Sequence, residues 1–218
     1  MTQIEKKIET PSRTGKVLHA AAAYDMLIWL VTLGRERAFR EKMLRLAHLE
    51  PGESVLDVGC GTGTLAIAAK RQVGKTGMVY GVDASPEMIA RAEKKARKAG
   101  VQVVFKQAFA QSLPFSDAQF DVVMTTVMLH HLSPTARREL AVEIRRVLKP
   151  GGRVLAIDFG RTSRKKKSFL DHFHHRHGDI ELKDIIAMLN EAGLNIVESG
   201  AVGMRDLQFV LATAAYCA

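Results

Sequence analysis

The chain has 218 residues, of which 47% are hydrophobic, and it carries a formal charge of +9. This length predicts one α/β domain, and no segment reaches the roughly 20 apolar residues of a membrane-spanning helix. The N-terminus lacks the apolar core of a secretion signal, and Cys60 and Cys217 are too few for a disulfide framework, so we expect a cytoplasmic protein.

The first part of the chain is predicted to be helical. Residues 1–13 form a polar arm, and apolar residues at helical spacing predict helices over residues 14–33 and 36–49. Pro51 and Gly52 then predict a turn before the first strand.

Strands and helices alternate after this turn, which is typical of a parallel sheet with helical crossovers. Ser85 and Ser133 are placed to cap two of the helices, and Gly100 is placed to end one of them. Strands are predicted over residues 54–58, 78–82, 101–106, 120–125 and 153–159, helices over 64–72, 86–99 and 134–148, and a turn over 149–152.

The C-terminal part departs from this alternation. A basic, histidine-rich segment at 161–178 precedes a predicted helix over 181–192. Strands over 194–199 and 207–214 follow with no helix between them, so we expect them to pair antiparallel at one edge of the sheet.

The first predicted strand runs into a Gly-Cys-Gly-Thr-Gly turn at residues 59–63. Such a turn lets a ligand approach the backbone and is typical of a nucleotide-type site. A nicotinamide-binding motif requires a glycine where Thr64 stands. Asp57 would repel a diphosphate, but it suits the ammonium group of S-adenosylmethionine.

Asp83 ends the second predicted strand, where a carboxylate can accept hydrogen bonds from both hydroxyls of a ribose. This placement also fits a nicotinamide protein, so Asp83 alone does not discriminate between the two cofactors.

Five segments carry motifs in a characteristic order: DVGCGTG at 57–63, DASPEM at 83–88, LPF at 113–115 before FDVV at 120–123, LHHL at 129–132 and RVLKPGG at 146–152. Together they resemble the successive motifs of class I S-adenosylmethionine-dependent methyltransferases, over about residues 50–160. Tyr24-Asp25 and Gly34-Arg35 resemble the start of the ubiquinone/menaquinone-biosynthesis C-methyltransferase branch.

The resemblance implies an α/β fold with a seven-stranded Rossmann-like sheet of order 3-2-1-4-5-7-6. The last strand would be antiparallel, and helices would cover both faces. A single domain would span residues 1–218. We expect an N-terminal helical lid at 1–50, a cofactor-binding core at 51–160, and the basic insertion, a helix and an antiparallel strand pair at 161–218.

The resemblance also implies the contacts to S-adenosylmethionine. Asp57 and the glycine turn would hold the methionine end, Asp83 would hold the ribose, and Tyr24 would close over the cofactor. The remaining contacts would be Gly59, Cys60, Gly61, Ala84, Met88, Phe109, Ala110, Thr126 and Val127.

One position departs from the family pattern. The family usually has an Asp that reaches the adenine amino group where this chain has Phe109, and a phenyl ring cannot accept that hydrogen bond. The backbone N–H of Ala110 can still reach adenine N1, so we expect binding to be retained.

His130 and His131 follow the fourth predicted strand, next to where the methyl group should project. The sulfonium is already activated, so a base is required only when the acceptor must lose a proton. The two residues are either loop-packing and helix-capping groups or substrate-facing groups, and we favour His131 as substrate-facing.

A second histidine group, at residues 172–177, could bind metal. No cysteine or second ligand cluster accompanies it, so we predict no metal site and interpret the segment as a lid over the acceptor pocket.

We therefore predict a methyltransferase for a small acceptor, and a lipophilic one such as a quinone precursor or a lipid is our first interpretation. The basic run at 161–167 and the apolar patch at 26–31 suit a membrane surface, but a solvated loop and a core helix explain them as well. The alternatives are O- or N-methylation of a soluble metabolite, a non-catalytic cofactor-binding protein and a nicotinamide oxidoreductase. Nucleic acid is not favoured, because the Asn/Asp-Pro-Pro-aromatic motif of base-methylating enzymes is absent.

Overall fold

A computed structural model describes residues 36–160, 180–204 and 206–215. The N-terminal arm, the predicted helix over 14–33 with Tyr24, and the basic, histidine-rich segment at 161–178 lie outside the described residues.

The described residues form five α-helices, seven strands and one turn of 3-10 helix. The helices are α1 (Glu36–Leu46), α2 (Thr64–Val73), α3 (Pro86–Ala99), α4 (Pro134–Val147) and α5 (Leu182–Glu191). The strands are β1 (Ser54–Val58), β2 (Met78–Asp83), β3 (Val104–Gln107), β4 (Phe120–Thr126), β5 (Leu148–Phe159), β6 (Leu194–Ala201) and β7 (Leu207–Ala214). The 3-10 turn covers Leu129–His131, between β4 and α4.

The seven strands form one sheet of order β3-β2-β1-β4-β5-β7-β6, which confirms the predicted order. Strands β1 to β5 pair in parallel, whereas β7 is antiparallel to both β5 and β6. The chain leaves β1 toward β2 on one side, and β4 pairs with β1 on the other. The crevice at the carboxyl ends of β1 and β4 is therefore the switch point at which such sheets bind ligands.

Hydrophobic layers bury the sheet on both faces. Alternate residues of a strand point to opposite faces, so neighbouring positions of β1 and β4 enter different layers. Val55 and Met124 pack in the layer that includes α2 and α3, and Leu56 and Val123 pack in the layer that includes α4 and α5. Burial on both faces explains why these strands are almost continuously apolar.

The helix boundaries predicted from capping residues are confirmed. At the start of α3, Oγ of Ser85 accepts a hydrogen bond from the N–H of Met88 at 3.3 Å, and Gly100 ends the helix with φ of 65°. At the start of α4, Oγ of Ser133 accepts from the N–H of Ala136 at 3.2 Å. These caps involve residues within one turn of each other, so local sequence is enough to predict them.

The helix predicted over 36–49 ends three residues early, at Leu46. His48 adopts a left-handed φ of 49°, and Arg153 of β5 donates a hydrogen bond to its carbonyl. Met43 is fully buried in the core, so α1 belongs to the packed part of the protein. The part of the predicted lid that precedes α1 lies outside the described residues and stays a prediction.

Strand β3 begins at Val104, three residues later than predicted. It lies at the edge of the sheet and pairs only with the last four residues of β2. Residues 101–103 therefore have no ladder partner in the described part of the chain.

The turn predicted over 149–152 lies within β5. Leu148 pairs with Phe120, and the next paired residue of β5 is Arg153. The four residues between them form a bulge opposite Asp121 of β4. The Pro-Gly-Gly segment therefore lies within a long strand and does not separate a helix from a strand.

Arg146 in α4 fastens the loop between β3 and β4 to the helix. Its guanidinium donates to the carbonyls of Leu113 and Phe115, at 3.1 and 2.8 Å. It also contacts the carboxylates of Glu143 and Asp117, at 2.7 and 2.8 Å. Hydrogen bonds to these carboxylates hold the pKa of Arg146 above its ordinary value. This network joins the Leu-Pro-Phe segment to the start of the Arg-Val-Leu-Lys-Pro-Gly-Gly segment.

We predict that Arg146→Met will lower the free energy of unfolding by about 2 kcal/mol, because it leaves a half-buried Glu143 without its cation. Urea denaturation of the two proteins measures the difference. The matched control is Arg138→Met, which removes an exposed arginine of the same helix and should change stability by less than about 0.5 kcal/mol. Equal losses in the two variants would contradict the assigned role.

Candidate active site

The glycine turn after β1 folds back over the end of β2. The N–H groups of Gly59 and Cys60 both donate to the carbonyl of Val82 at 2.9 Å, and the N–H of Gly63 donates to the carbonyl of Cys60 at 2.9 Å. Gly59, Gly61 and Gly63 all have positive φ, between 52° and 75°, where residues with a Cβ are rarely found. The path of the backbone therefore requires the alternating glycines.

Packing requires two of these glycines as well. A Cβ at Gly59 would lie 2.4 Å from Cγ of Met128. A Cβ at Gly63 would lie 2.7 Å from the ring of Phe105 and 2.8 Å from Cβ of Ala92. Gly63 thus packs the start of α2 against β3 and α3. In the nicotinamide motif, a glycine one residue later has this packing role.

The carboxylate of Asp57 is buried near the end of β1, with 1% of the residue exposed. Neither of its oxygens has a hydrogen-bond partner within the described residues. Burial, and then the charge of Asp83, raises the pKa of Asp57 to about 7. The backbone N–H of Ala66 offsets only part of this rise, because its geometry falls short of a hydrogen bond. Buried polar groups are nearly always satisfied, so this carboxylate has the environment that a cationic ligand would complete.

S-adenosylmethionine fits this environment. Its ammonium group can pair with the buried carboxylate of Asp57, and the glycine turn lets the ligand approach the backbone. A diphosphate would instead add negative charge beside an unpartnered acid.

Asp83 bounds the site at the end of β2. Its Oδ2 accepts from the N–H of Gly61 and its Oδ1 from the N–H of Ser85, both at 2.9 Å. Burial raises the pKa of Asp83, and these backbone hydrogen bonds counteract the rise. A carboxylate oxygen has more than one lone pair, so Asp83 can still accept hydrogen bonds from a ribose. Ala84 follows it, half-buried, and its carbonyl accepts from Gln107 at 3.2 Å.

Lys95 connects the glycine turn to α3. Its ammonium donates to the hydroxyls of Thr62 and Thr64, at 2.7 and 3.3 Å. Sequence reasoning missed this residue, because a lysine in a helix of mixed charges resembles an ordinary solvated position.

The residues predicted around adenine lie beyond β2 and β3. The N–H of Ala108 donates to the carbonyl of Asp83 at 3.0 Å, which brings the following loop beside the predicted ribose position. In this loop Phe109 has 47% of its surface exposed, and Ala110 is half-buried. Met88 is buried in the first turn of α3. Only Phe109 of these residues presents a large exposed surface.

Thr126 and Val127 lie at the carboxyl end of β4, next to β1, as predicted. Val127 has φ of 53°, a left-handed conformation that is strained for a β-branched residue. Its N–H donates to the carbonyl of Ile157 at 2.8 Å. The turn places Met128 against Gly59, and local strain of this kind is concentrated at functional sites.

His130 and His131 lie together in the 3-10 turn, with ring centroids 3.9 Å apart. Nδ1 of His130 is 2.7 Å from Oδ1 of Asp158, and the backbone N–H of His130 donates to Oδ2 at 3.1 Å. The side chain of Asp158 is fully buried, and that of His130 is 17% exposed. The carboxylate of Asp158 thus orients the ring of His130, as an acid–base group requires. The sequence by itself instead favours His131 as the substrate-facing residue.

Arg137 of α4 holds the same turn from the other side. Its Nε donates to the carbonyl of Leu129 at 2.8 Å. Burial lowers the pKa of Arg137, and the charges of Asp158 and Asp184 oppose that change. Sequence reasoning missed Arg137 and Asp158. Asp158 had a usable signal, because it is an acidic residue at the end of an apolar strand, the position that Asp83 occupies in β2.

Two sequence predictions for the site fall on residues that the structure does not describe: Tyr24 and the histidine group at 172–177. Within the described ranges, no group of three or more His, Cys, Asp or Glu side chains could hold a metal ion.

We expect Asp57→Asn to stabilise the ligand-free protein above neutral pH. The carboxyl loses its proton near pH 3.8 in the unfolded chain but near pH 7 in the folded protein. The free energy of unfolding of the wild type therefore falls as pH rises from about 4 to about 7. A rise in pKa of this size corresponds to at most about 4 kcal/mol, and we expect the variant to gain about 2 kcal/mol at pH 8.

Urea denaturation at pH 5 and pH 8 tests this prediction. The matched control is Asp121→Asn, which removes a carboxylate that is paired with Lys149 at 2.8 Å and should destabilise the protein at pH 8. An Asp57→Asn protein that is less stable than the wild type at pH 8 would contradict the prediction.

The chain is similar to known methyltransferases in sequence. A family described as a methyltransferase domain matches residues 55–152. The chain is 34% identical to the 2-phytyl-1,4-naphtoquinone methyltransferase of Trichormus variabilis, over 67% of this chain and 64% of that protein. It is 31% identical to the ubiquinone/menaquinone biosynthesis C-methyltransferase UbiE of Cupriavidus metallidurans, over 76% of this chain and 69% of that protein. It thus spans about two thirds of the length of these relatives.

The likeness extends to the three-dimensional structure. A solved S-adenosylmethionine-dependent methyltransferase from Aquifex aeolicus matches with a TM-score of 0.69 and 26% identity, over 81% of this chain and 89% of that one. S-adenosyl-L-methionine is therefore the cofactor. The chain belongs to the class I S-adenosylmethionine-dependent methyltransferases and resembles their ubiquinone/menaquinone C-methyltransferase branch.

Proposed function

We propose that this protein transfers the methyl group of S-adenosylmethionine to a ring carbon of a lipophilic quinone precursor. The names of its relatives support the acceptor class, since they specify a phytyl naphthoquinone and ubiquinone or menaquinone biosynthesis. These acceptors share a quinone ring system.

The observation that carries the acceptor class is the aromatic ring beside His130. The rings of Phe159 and His130 meet in a T-shaped contact, with centroids 5.5 Å apart and planes at 67°. Phe159 is partly buried and packs against the core layer that also includes Val127 and Met204. A partly buried aromatic ring beside the His130–Asp158 pair suits a flat, lipophilic acceptor.

The same proposal assigns the cofactor contacts. Asp57 pairs with the ammonium group, and Asp83 accepts from the ribose hydroxyls. Phe109 contacts the adenine ring without the hydrogen bond that an Asp there would make. The other contacts are Tyr24, Gly59, Cys60, Gly61, Ala84, Met88, Ala110, Thr126 and Val127. S-adenosylmethionine supplies an electrophilic methyl group, so these residues only need to bind and orient it.

Access to a lipophilic acceptor is part of the proposal. No helix in the described ranges is long and apolar enough to cross a membrane. The basic run at 161–167, outside those ranges, is our candidate for reversible contact with anionic lipid.

The acceptor class is tested by transfer of a tritiated methyl group from S-adenosylmethionine. The acceptors are reduced, demethylated naphthoquinols and benzoquinols with no, one or several prenyl units, and catechol and a simple amine are the comparison acceptors. We expect label on the quinol carbon, and a KM that falls as the tail lengthens because each buried CH₂ contributes about 0.8 kcal/mol. Asp57→Asn is the cofactor-binding control. Preferential labelling of catechol oxygen or of the amine would overturn the proposal.

Binding of S-adenosylmethionine should release a proton at pH 6. Asp57, with its pKa of about 7, is mostly protonated at that pH and must ionise to pair with the ammonium group. Affinity should therefore rise between pH 5.5 and 7, approaching tenfold per pH unit at the lower end. Calorimetry in buffers of different ionisation enthalpy measures the released proton.

Two variants complete this experiment. Asp57→Asn should bind more than tenfold more weakly at pH 7.5 and release no proton, because its amide cannot ionise. Asp83→Asn should also bind more than tenfold more weakly but should keep part of the proton release, because burial, the larger cause of the raised pKa of Asp57, is unchanged. Wild-type protein that binds with no proton release would contradict the role of Asp57.

A further inference from the structure

Asp158 contacts both the backbone and the side chain of His130, which is more than is needed to hold the backbone of the 3-10 turn. Its Oδ2 accepts from the backbone N–H of His130 at 3.1 Å, and its Oδ1 accepts from the N–H of Phe159 at 2.7 Å. The first of these bonds alone would tie the 3-10 turn to β5. The additional contact, from Oδ1 to Nδ1 of the imidazole at 2.7 Å, fixes the ring itself.

This contact determines which nitrogen of His130 carries the proton. Two backbone N–H groups, those of His130 and Phe159, already donate to Asp158, and a carboxylate only accepts hydrogen bonds. Nδ1 must then carry the hydrogen. Neutral His130 is thus left with its lone pair on Nε2, the nitrogen on the other side of the ring from Asp158.

The surroundings of the imidazole restrict its rotation. The ring of His131 lies on one side, with centroids 3.9 Å apart, and the edge of Phe159 lies on another, at 5.5 Å. Arg137 fixes the backbone of the turn through the carbonyl of Leu129. A ring held in one orientation and one tautomer is preorganised to accept a proton.

We infer that Asp158 is the positioning residue that holds His130 as the Nδ1–H tautomer, and that Nε2 of His130 accepts the proton that the acceptor ring loses on C-methylation. The inference rests on the proposed function. The ring carbon forms a bond to the methyl carbon, the methyl–sulfur bond breaks with its electron pair left on sulfur, and the C–H proton passes to Nε2. Asp158 stabilises the resulting imidazolium until the proton leaves to solvent.

The charged and titratable groups around His130 come from four elements. Asp158 belongs to β5, and His131 is the neighbour of His130 in the 3-10 turn. Arg137 of α4 approaches Asp158, and Asp184 of α5 acts on Arg137. Among these groups, Asp158 is hydrogen-bonded to the ring of His130.

The tautomer is measured first, without acceptor or cofactor. Nitrogen-15 NMR of histidine-labelled protein should show His130 protonated at Nδ1 in the wild type and shifted toward Nε2–H in Asp158→Asn. The His130→Gln variant assigns the signal. A wild-type His130 protonated at Nε2 would overturn the inference, whichever acceptor the enzyme uses.

Kinetics with the best quinol acceptor form the second measurement. We expect kcat to fall about 100-fold in His130→Gln, the lower end of the range for losing a general base, with KM and cofactor affinity little changed. In Asp158→Asn we expect kcat to fall as well, with KM little changed, because the imidazole is no longer held as the Nδ1–H tautomer.

The control is Asp121→Asn, which also removes a carboxylate that accepts a backbone N–H, here from Ser54 at 2.8 Å. It lies near the amino end of β4 and should leave kcat unchanged. If the wild type methylates quinols but His130→Gln keeps its kcat, the inference is wrong and the proposed function stands. If the wild type methylates no quinol, the proposed function is wrong and the NMR result alone decides the tautomer.

Discussion

The constraint on which the site depends is a buried carboxylate with no partner among the described residues. Asp57 lies in the central strand β1, where water cannot solvate its charge, and its pKa rises to about 7 as a result. A protein selected for stability alone would replace it with a neutral residue, because an unpaired buried charge is one of the most unfavourable groups in a folded chain. Its presence is explained by a cationic ligand that it is placed to receive.

Hydrogen bonds to neighbouring groups hold the glycine turn in place when no ligand is bound. The glycine turn is held by Val82 below it, by Asp83 through Gly61, and by Lys95 through its two threonines. The backbone that faces the cofactor therefore needs little reorganisation on binding. Asp83 has two roles. Its carboxylate accepts the N–H of Gly61, which fixes the turn, and its remaining lone pairs can accept hydrogen bonds from a ribose.

A second buried carboxylate, that of Asp158 near the end of β5, differs from Asp57 because it has hydrogen-bond partners. Asp158 is as deeply buried as Asp57, but three donors satisfy it. The difference in hydrogen bonding suits different tasks. An unsatisfied carboxylate can bind an incoming cation, whereas a satisfied one can hold a histidine in a single orientation.

The sequence by itself predicted several features that depend on neighbouring residues: the apolar pattern of the strands, the caps at Ser85 and Gly100, and the glycine turn beside Asp57. Its motif order also implied the sheet order and the cofactor. Only the tertiary structure decided where β3 starts, that 149–152 bulge from β5, and that Asp158 meets His130, 28 residues away in the chain. These features depend on which strand lies beside which, and on contacts between residues far apart in sequence that local spacing does not encode.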